Sequence, residues 1–228
     1  MKIKGWNSYE LSWLIIFIII GAYISVSSGE IKYFDLSVFI SGILCVVLAA
    51  KGSIWTYIFG MYNTFGYAYM SYTNGLFGEM GLNLFFFAPT NVIGLMMWRK
   101  KMEENVVIMR ELANKYRVIT GIVCIVGIVA TGFLLSLIKG QNTPYIDATT
   151  NTLSIIATVL MMYRYKEQWI LYIILNIFTI IMWSIRMANG SPEGMLMIVM
   201  WSSYLVNAVY GYYNWSKGVK KAEVMEEI

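Results

Sequence analysis

Histidine is absent from this 228-residue chain, and cysteine occurs only twice, at Cys45 and Cys124, each inside an apolar run. A clustered metal site, haem ligation and a disulfide framework depend on those residues, so none is expected and no cofactor is predicted. Charged residues make up only 13% of the chain, about half their share in a soluble domain. This scarcity of charge argues against a soluble protein.

Apolar residues dominate instead, at 58% of the chain with a mean hydropathy of +0.62. These values predict an all-α integral membrane protein with several spans. Eight apolar runs approach or reach the length that crosses ~30 Å of hydrocarbon as a helix. The eight predicted transmembrane helices are residues 11–28, 36–50, 53–73, 80–98, 117–138, 147–163, 168–188 and 194–215.

The positive charges favour one orientation of these spans. With eight crossings both termini lie on the same side, and 14 of the 17 Lys and Arg residues fall on that side. Only Lys32, Lys139 and Arg186 fall on the other. The positive-inside rule then predicts a multi-pass cell-membrane protein with both termini in the cytoplasm. Because topology accounts for the net charge of +4, no nucleic-acid partner is expected.

No charged side chain lies near the middle of a predicted span. Intramembrane carboxylates and lysines usually mark proton relays, ion sites or retinal counter-ions, so a pump is disfavoured. The phosphate-binding pattern G-x-x-x-x-G-K-[ST] is also absent, and no partner that drives transport with ATP is expected. An enzyme would need an acid–base pair or a metal site, which the sequence does not offer. A passive carrier is favoured, and a non-transporting scaffold or sensor is the alternative from another class.

An internal repeat relates the second to fourth spans to the sixth to eighth. Each block starts after an acidic residue, Asp35 or Asp147, continues through a tight basic joint, and closes on Trp98 or Trp215. Each copy has three helices, an odd number. One further helix must therefore cross the membrane between the copies if both are to have the same orientation in the membrane. The predicted parts are an N-terminal extra helix (1–35), a first three-helix repeat (36–101), a solvated cytoplasmic connector with a linker helix (102–146), a second three-helix repeat (147–217) and a cytoplasmic tail (218–228).

Aromatic and amide side chains recur on the helices of both repeats. Trp169, Tyr172 and Asn176 are spaced i, i+3 and i+7, which places them on one stripe of a helix. Polar side chains avoid lipid, so Asn176 is predicted to face the bundle interior. Carrier sites lie near mid-membrane where two repeats meet. The candidate substrate-binding residues are Trp169, Tyr172, Asn176, Trp201, Tyr204, Asn207, Tyr62, Asn63, Asn83 and Asn91.

These residue types suit a small planar heterocycle that carries a hydroxylated sugar. Aromatic faces stack on flat rings and attract a cationic ring, and amides both donate and accept hydrogen bonds. A phosphate is disfavoured, because no arginine lies in the middle of a span to meet its charge. Structural roles are the alternative. Asparagines can join helices, and five tryptophans are expected to mark membrane interfaces: Trp6, Trp13, Trp55, Trp98 and Trp215.

Three stretches of the chain resemble the PnuC family of vitamin transporters. They are YNTFGYAYMSYTNGLFGEMGLNLFFFAPTNVIGLMMW (62–98), RYKEQWILYIILNIFTIIMW (164–183) and MWSSYLVNAVYGYYNW (200–215). The family signature W-x-x-W-x-x-x-N, whose tryptophans hold the substrate ring, is matched by Trp169 and Asn176, with Tyr172 in place of the second tryptophan.

The resemblance implies a SWEET-like fold with a three-one-three plan of two parallel repeats and a homotrimeric assembly. It also implies facilitated diffusion of nicotinamide riboside by alternating access, with a cytoplasmic kinase that traps the nucleoside by phosphorylation. Other branches of the family carry thiamine, riboflavin and deoxynucleosides. A deoxynucleoside or thiamine is therefore the alternative substrate.

Overall fold

The structure, a computed structural model, describes residues 6–27, 33–73, 77–103, 105–137, 143–190 and 194–226. Helices occupy nearly all of this part of the chain. The elements in chain order are α1 (Ser8–Ser27), α2 (Tyr33–Lys51), α3 (Trp55–Thr73), α4 (Phe77–Leu82), a π-helical turn (Asn83–Phe87), α5 (Ala88–Arg99), β1 (Met102–Glu103), β2 (Val106–Val107), α6 (Asn114–Ser136), α7 (Pro144–Met162), α8 (Gln168–Ala188) and α9 (Gly194–Glu226).

Eight helical stretches are present in the described residues when α4, the π-helical turn and α5 are counted as one continuous helix. Each corresponds to one predicted span, although α9 continues to Glu226 instead of ending near residue 215. The prediction of a helical protein with several membrane-spanning segments is confirmed, and the count of eight crossings stays a prediction. Four described stretches are long and apolar enough to cross a membrane by length and composition: Tyr33–Lys51, Met80–Arg99, Asn114–Ser136 and Gln168–Ala188.

A Schellman motif ends α2. The amide of Gly52 donates to the carbonyl of Ala49, and the amide of Ser53 donates to the carbonyl of Leu48, both at 2.9 Å, which is the bond pair that defines this cap. Gly52 has a φ of 71°, a left-handed conformation that glycine adopts without steric cost. The cap reverses the chain within a few residues and lets α3 pack on α2.

The end of α7 has the same cap with a different residue at its turn. The amides of Arg164 and Tyr165 donate to the carbonyls of Met161 and Leu160, again at 2.9 Å. Arg164 has a φ of 67°, which is uncommon outside glycine. Its guanidinium Nη1 donates to the carbonyl of Ile108 at 3.0 Å, and this bond helps to hold the strained residue in place.

Proline accounts for the irregularity in the fourth helical stretch. Pro89 has no N–H group, and its ring clashes with the carbonyl four residues earlier in a regular α-helix. The turn Asn83–Phe87 before it is π-helical, the usual form of a local insertion in an α-helix. The Thr90 hydroxyl, 2.9 Å from the carbonyl of Phe86, donates to this irregular region. The distorted turn includes one predicted site residue, Asn83.

Contacts divide the chain into two compact units, Met1–Val107 and Ile108–Ile228. In the first unit, α2 packs on α1 and α3, and the fourth helical stretch packs on α3. A short antiparallel hairpin of β1 and β2 follows, with Met102 opposite Val107. The first unit includes a buried cluster of Trp13, Ile43 and Val47.

The second unit is a run of antiparallel neighbours. α6 packs on α7, α7 on α8 and α8 on α9. Its buried cluster comprises Cys124, Leu153 and Leu175, one residue from each of the first three helices of the unit. This arrangement places the α8 stripe next to α9.

Two expectations about exposure are wrong. Trp98 and Trp215 have 0% exposed surface, so they do not serve as tryptophans at a lipid interface. The connector is not wholly solvated either, because Val107, Met109 and Leu112 are buried. These hydrophobic side chains pack the segment against its neighbours. The many charged residues of the segment hide this packing from an interpretation based on composition.

Candidate substrate-binding site

The predicted aromatic and amide stripe is present on α8. Trp169 and Asn176 are each 3% exposed, and Tyr172 is partly buried. The prediction that Asn176 faces the protein interior is therefore confirmed. The ring centroids of Trp169 and Tyr172 are 5.9 Å apart at an interplanar angle of 55°, a separation typical of interacting aromatic pairs.

Trp169 packs against a flat part of α9. A Cβ atom at Gly211 would lie 2.7 Å from three atoms of the indole ring, so only glycine allows this close approach. Trp215, four residues later, meets Trp169 at a centroid distance of 6.1 Å and an angle of 69°. The indole of Trp169 is thus fixed by a glycine beneath it and a fully buried tryptophan beside it.

Several buried polar atoms in this region have no hydrogen-bond partner within the described part of the chain. They are the indole N–H groups of Trp169 and Trp201 and both side-chain amide atoms of Gln168, which has 0% exposed surface. Most buried polar groups are paired, and leaving one unpaired costs about 1–3 kcal/mol. The two indoles can donate to a bound molecule, and the amide can both donate and accept.

A second predicted stripe lies on α9. The rings of Trp201 and Tyr204 meet edge to face, with centroids 5.5 Å apart and an angle of 81°. Asn207 is 2% exposed. Trp201 also packs against the buried cluster formed by α6, α7 and α8. The six predicted residues of α8 and α9 therefore lie on two helices of one unit that pack directly on each other.

Thr158 of α7 contacts the stripe through Tyr172. Their hydroxyl oxygens are 3.4 Å apart, and Thr158 Oγ1 donates to the carbonyl of Ser154 at 2.7 Å. Thr158 is not among the residues that the sequence predicts for the site. Thr149 donates to the carbonyl of Tyr145 in the same way, so the local pattern does not distinguish the two threonines.

Two predicted residues of the first unit connect α3 to α2. The hydroxyl oxygen of Tyr62 is 2.7 Å from that of Ser37, and Asn63 Nδ2 donates to the carbonyl of Val38 at 2.9 Å. Tyr62 is also 48% exposed. These contacts fit the structural alternative for both residues, and nothing in them tests substrate binding.

The other two lie in the fourth helical stretch. Asn83 is 7% exposed within the π-helical turn. Asn91 Nδ2 donates to the hydroxyl of Thr64 at 3.1 Å, and its Oδ1 would lie 2.8 Å from a Cβ atom at Gly60. Asn91 therefore fills the space that this glycine leaves open on α3.

The packing around Trp169 has a counterpart in the first unit. A Cβ atom at Gly94 would lie 2.4 Å from the ring of Tyr57. Trp98, four residues later, meets Tyr57 at 4.9 Å and 84°. Tyr57 thus occupies the place that Trp169 has in the second unit, and the Gly-x-x-x-Trp spacing of α9 recurs in α5.

Charged residues gather around the joint between α7 and α8. Glu167, 7% exposed, accepts from the amide of Leu112 at 3.1 Å and from Arg117 Nε at 3.0 Å. Glu111 pairs with Lys166 and with Arg117. The hydrogen bond from Lys166, together with that from Arg117, holds the pKa of Glu111 below its usual range. This network fixes the connector at one end of the second unit.

Arg164 belongs to the same charged end. Burial lowers the pKa of its guanidinium, and the charge of Arg110 lowers it further, although arginine stays protonated in proteins. The described residues include no group of three or more His, Cys, Asp or Glu side chains that could hold a metal ion.

Comparison with known proteins gives consistent matches. The family described as "Nicotinamide mononucleotide transporter" matches residues 32–217. A nicotinamide riboside transporter PnuC from Neisseria mucosa is 37% identical over 225 residues, covering 95% of this chain and 84% of the relative. Its counterpart in Haemophilus influenzae is 36% identical over 225 residues, with 96% and 94% covered.

The fold matches a solved structure as well. A crystal structure described as that of the vitamin B3 transporter PnuC superposes with a TM-score of 0.80 and 36% identity. The match covers 96% of this chain and 95% of the solved one. The matched part of the chain therefore includes both predicted repeats.

Proposed function

The chain belongs to the nicotinamide mononucleotide transporter family, and on that basis we propose that it carries nicotinamide riboside across the cell membrane by facilitated diffusion. The family is one of transporters rather than enzymes. Two relatives that match nearly the whole chain are named for nicotinamide riboside. The proposed site residues are the ten predicted from the sequence, with those of α8 at its centre.

One observation carries the proposal: Trp169, Tyr172 and the buried Asn176 share one face of α8. The pyridinium ring of nicotinamide riboside is flat and cationic, and a desolvated cation gains about 2 kcal/mol from an aromatic face. The Asn176 amide can pair with a carboxamide, which has the same donor and acceptor groups. The buried indole N–H groups offer further donors to the ribose hydroxyls.

An unphosphorylated substrate fits this unit better than a mononucleotide. The charged cluster lies at the joint between α7 and α8, and Arg186 lies near the opposite end of α8, 3.8 Å from Asp147. A phosphate would need several charge-assisted hydrogen bonds when it leaves water. We therefore expect nicotinamide mononucleotide to compete weakly with the riboside.

The membrane arrangement is part of the proposal. Eight crossings, both termini in the cytoplasm and two parallel three-helix repeats joined by α6 follow from the charge distribution and the sequence repeat. The matching caps after α2 and α7 and the matching Gly-x-x-x-Trp packing support the repeat. The boundaries at residues 35, 101, 146 and 217 are proposed with it. The family resemblance supports alternating access, a homotrimer and intracellular trapping by a kinase.

Counterflow in proteoliposomes tests the function. Labelled nicotinamide riboside is expected to exchange with saturable kinetics, and dissipating ion gradients should leave the rate unchanged. Trp169→Ala should weaken the exchange by about five- to 150-fold, since a stacked aromatic contributes ~1–3 kcal/mol. Trp55→Ala is the matched control, because Trp55 is 59% exposed on α3.

The same assay separates the alternatives. Saturable exchange of thiamine or a deoxynucleoside, without exchange of nicotinamide riboside, would assign the chain to another substrate within the family. Absence of saturable exchange for all three compounds would refute the proposed function.

A further inference from the structure

A cleft with a volume of about 1200 Å³ lies within the first unit, between the start of α2 and one face of α3. That face of α3 is aromatic, because Tyr62, Phe65 and Tyr69 follow one another at intervals of three and four residues, the spacing of one helix face. Tyr33 and Phe34 of α2 also line the cleft. Each of these five aromatic residues is at least 43% exposed, so their rings are accessible.

Contacts within the unit hold the walls of this cleft in place. Gly66 of α3 lines the cleft, and a Cβ atom there would collide with the side chain of Val38 on α2. The rings of Phe34 and Tyr69 meet edge to face, with centroids 5.4 Å apart and an angle of 84°. The two helices are therefore in close contact on either side of the opening, and the cleft is preformed.

Asp35, in the first turn of α2, brings a negative charge to this aromatic cleft. It is partly exposed, and it forms no ion pair with a described residue. Its counterpart in the sequence repeat is Asp147, which has Arg186 Nη2 at 3.8 Å. The fold thus supplies a cation to the acidic residue of the second repeat, whereas the described residues supply none to Asp35.

This combination of groups selects the charge of a ligand. Aromatic faces attract cations, and a carboxylate attracts them as well and repels anions. A lipid chain would suit the aromatic wall alone, but a carboxylate is costly to hold against hydrocarbon. A flat organic cation satisfies the rings and the carboxylate together.

We propose that the cleft is a peripheral binding site, at which the cationic ring of nicotinamide riboside is held before transport. The proposal rests on the proposed function, from which it takes its ligand. The proposed orientation puts the start of α2 on the outer side of the membrane, where the substrate arrives. A charge opposite to that of the substrate raises its local concentration and its rate of association, and salt weakens this effect.

Counterflow of nicotinamide riboside at two salt concentrations tests the role of the charge. For the unmodified protein, the half-saturating concentration should rise as the ionic strength increases from about 0.01 M to about 1 M. Asp35→Asn should raise it about threefold at low salt and remove most of the salt dependence. Asp35→Lys should reverse the salt dependence, because salt then screens a repulsion. Asp35→Glu keeps the charge and should behave like the unmodified protein.

A substitution on α3 tests the aromatic wall. Phe65→Leu keeps an apolar side chain but removes the aromatic face, so the half-saturating concentration should rise about two- to fivefold. Phe85→Leu is the matched control, since Phe85 is 83% exposed in the π-helical turn and does not line the cleft. Its half-saturating concentration should equal that of the unmodified protein.

Each result decides for or against the peripheral site. An unchanged half-saturating concentration in Asp35→Asn, or an equal increase in Asp35→Asn and Asp35→Glu, overturns it while the proposed function stands. An unchanged value in Phe65→Leu also overturns it and would indicate that lipid or a second copy of the chain covers the cleft. If the unmodified protein shows no saturable exchange of nicotinamide riboside, the proposed function fails, and the peripheral site fails with it.

Discussion

Gly211 shows how a residue without a side chain can determine the geometry of a binding site. A methyl group there would lie 2.7 Å from the indole of Trp169, well inside van der Waals contact. Gly211→Ala is therefore expected to displace the ring and to weaken binding of nicotinamide riboside by about tenfold or more, as misplacement of a stacking face costs ~1–3 kcal/mol. Overpacking should also lower the free energy of unfolding by about 1–3 kcal/mol.

Gly121→Ala is the matched control for that substitution. A Cβ atom at Gly121 meets nothing within 4 Å, and alanine favours a helix over glycine by ~1 kcal/mol. Binding should be unchanged and thermal stability equal or slightly higher. Titration calorimetry and thermal unfolding of both variants provide the comparison. Equal affinity in Gly211→Ala and Gly121→Ala would show that contact with α9 does not position the Trp169 ring.

The sequence reveals the stripe residues but not the residues that hold them. The spacing of Trp169 and Asn176 on one helix predicts their shared face, and that spacing is a local property. Gly211 and Thr158 act through contacts with other helices, and each resembles many glycines and threonines of the chain. Their roles depend on which faces of α7, α8 and α9 meet. The residue spacing along a single helix does not contain this information.

At the scale of elements, the connector before α6 is held by ion pairs that depend on pH. Lys166, assisted by Arg117, lowers the pKa of Glu111, so folding is favoured when this carboxylate is charged. Its stabilising effect is fully present above the unfolded value of about 4.3 and is lost as the pH falls through the lower, folded value. Glu111→Gln should therefore lower the melting temperature at pH 7, and the difference should shrink as the pH falls from about 4.3 through the lower, folded value.

Thermal unfolding in detergent between pH 3 and pH 7 measures this dependence. The control is Glu103→Gln, which removes an exposed carboxylate of β1 without an ion-pair partner among the described residues. Its melting curve should follow that of the unmodified protein. The ion pair would be excluded as the cause if the melting temperatures of Glu111→Gln and the unmodified protein differed by the same amount at every pH.

The ends and distortions of elements were predicted less well than their existence. α9 continues past residue 215 because Lys, Ala and Glu favour helix without being apolar, and hydropathy detects only the apolar part. Val219 in this extension is buried, and Gly218 packs against Met109. The π-helical turn Asn83–Phe87 leaves no periodic signal, although Pro89 marks the place where a regular helix fails.

At the scale of the whole molecule, the hydropathy of the described helices and the sequence repeat lead to different counts of crossings. Four described stretches are apolar enough to cross a membrane by composition, whereas the repeat of three helices predicts eight crossings. α3 shows the reason for the discrepancy: Tyr, Thr and Asn lower its hydropathy, yet Thr56 and Thr64 are buried in the first unit. A helix whose polar residues face other helices can cross a membrane without being uniformly apolar.

Labelling of single cysteines distinguishes the two counts. With the N-terminus in the cytoplasm, both counts place Lys100 inside, but eight crossings place Asn189 outside and four place it inside. Both residues are exposed. In a background without Cys45 and Cys124, an impermeant maleimide applied to intact cells is expected to label Asn189→Cys at once and Lys100→Cys only after permeabilisation. Protection of both variants in intact cells would contradict eight crossings, because the end of α8 would then lie on the side where lysines and arginines accumulate.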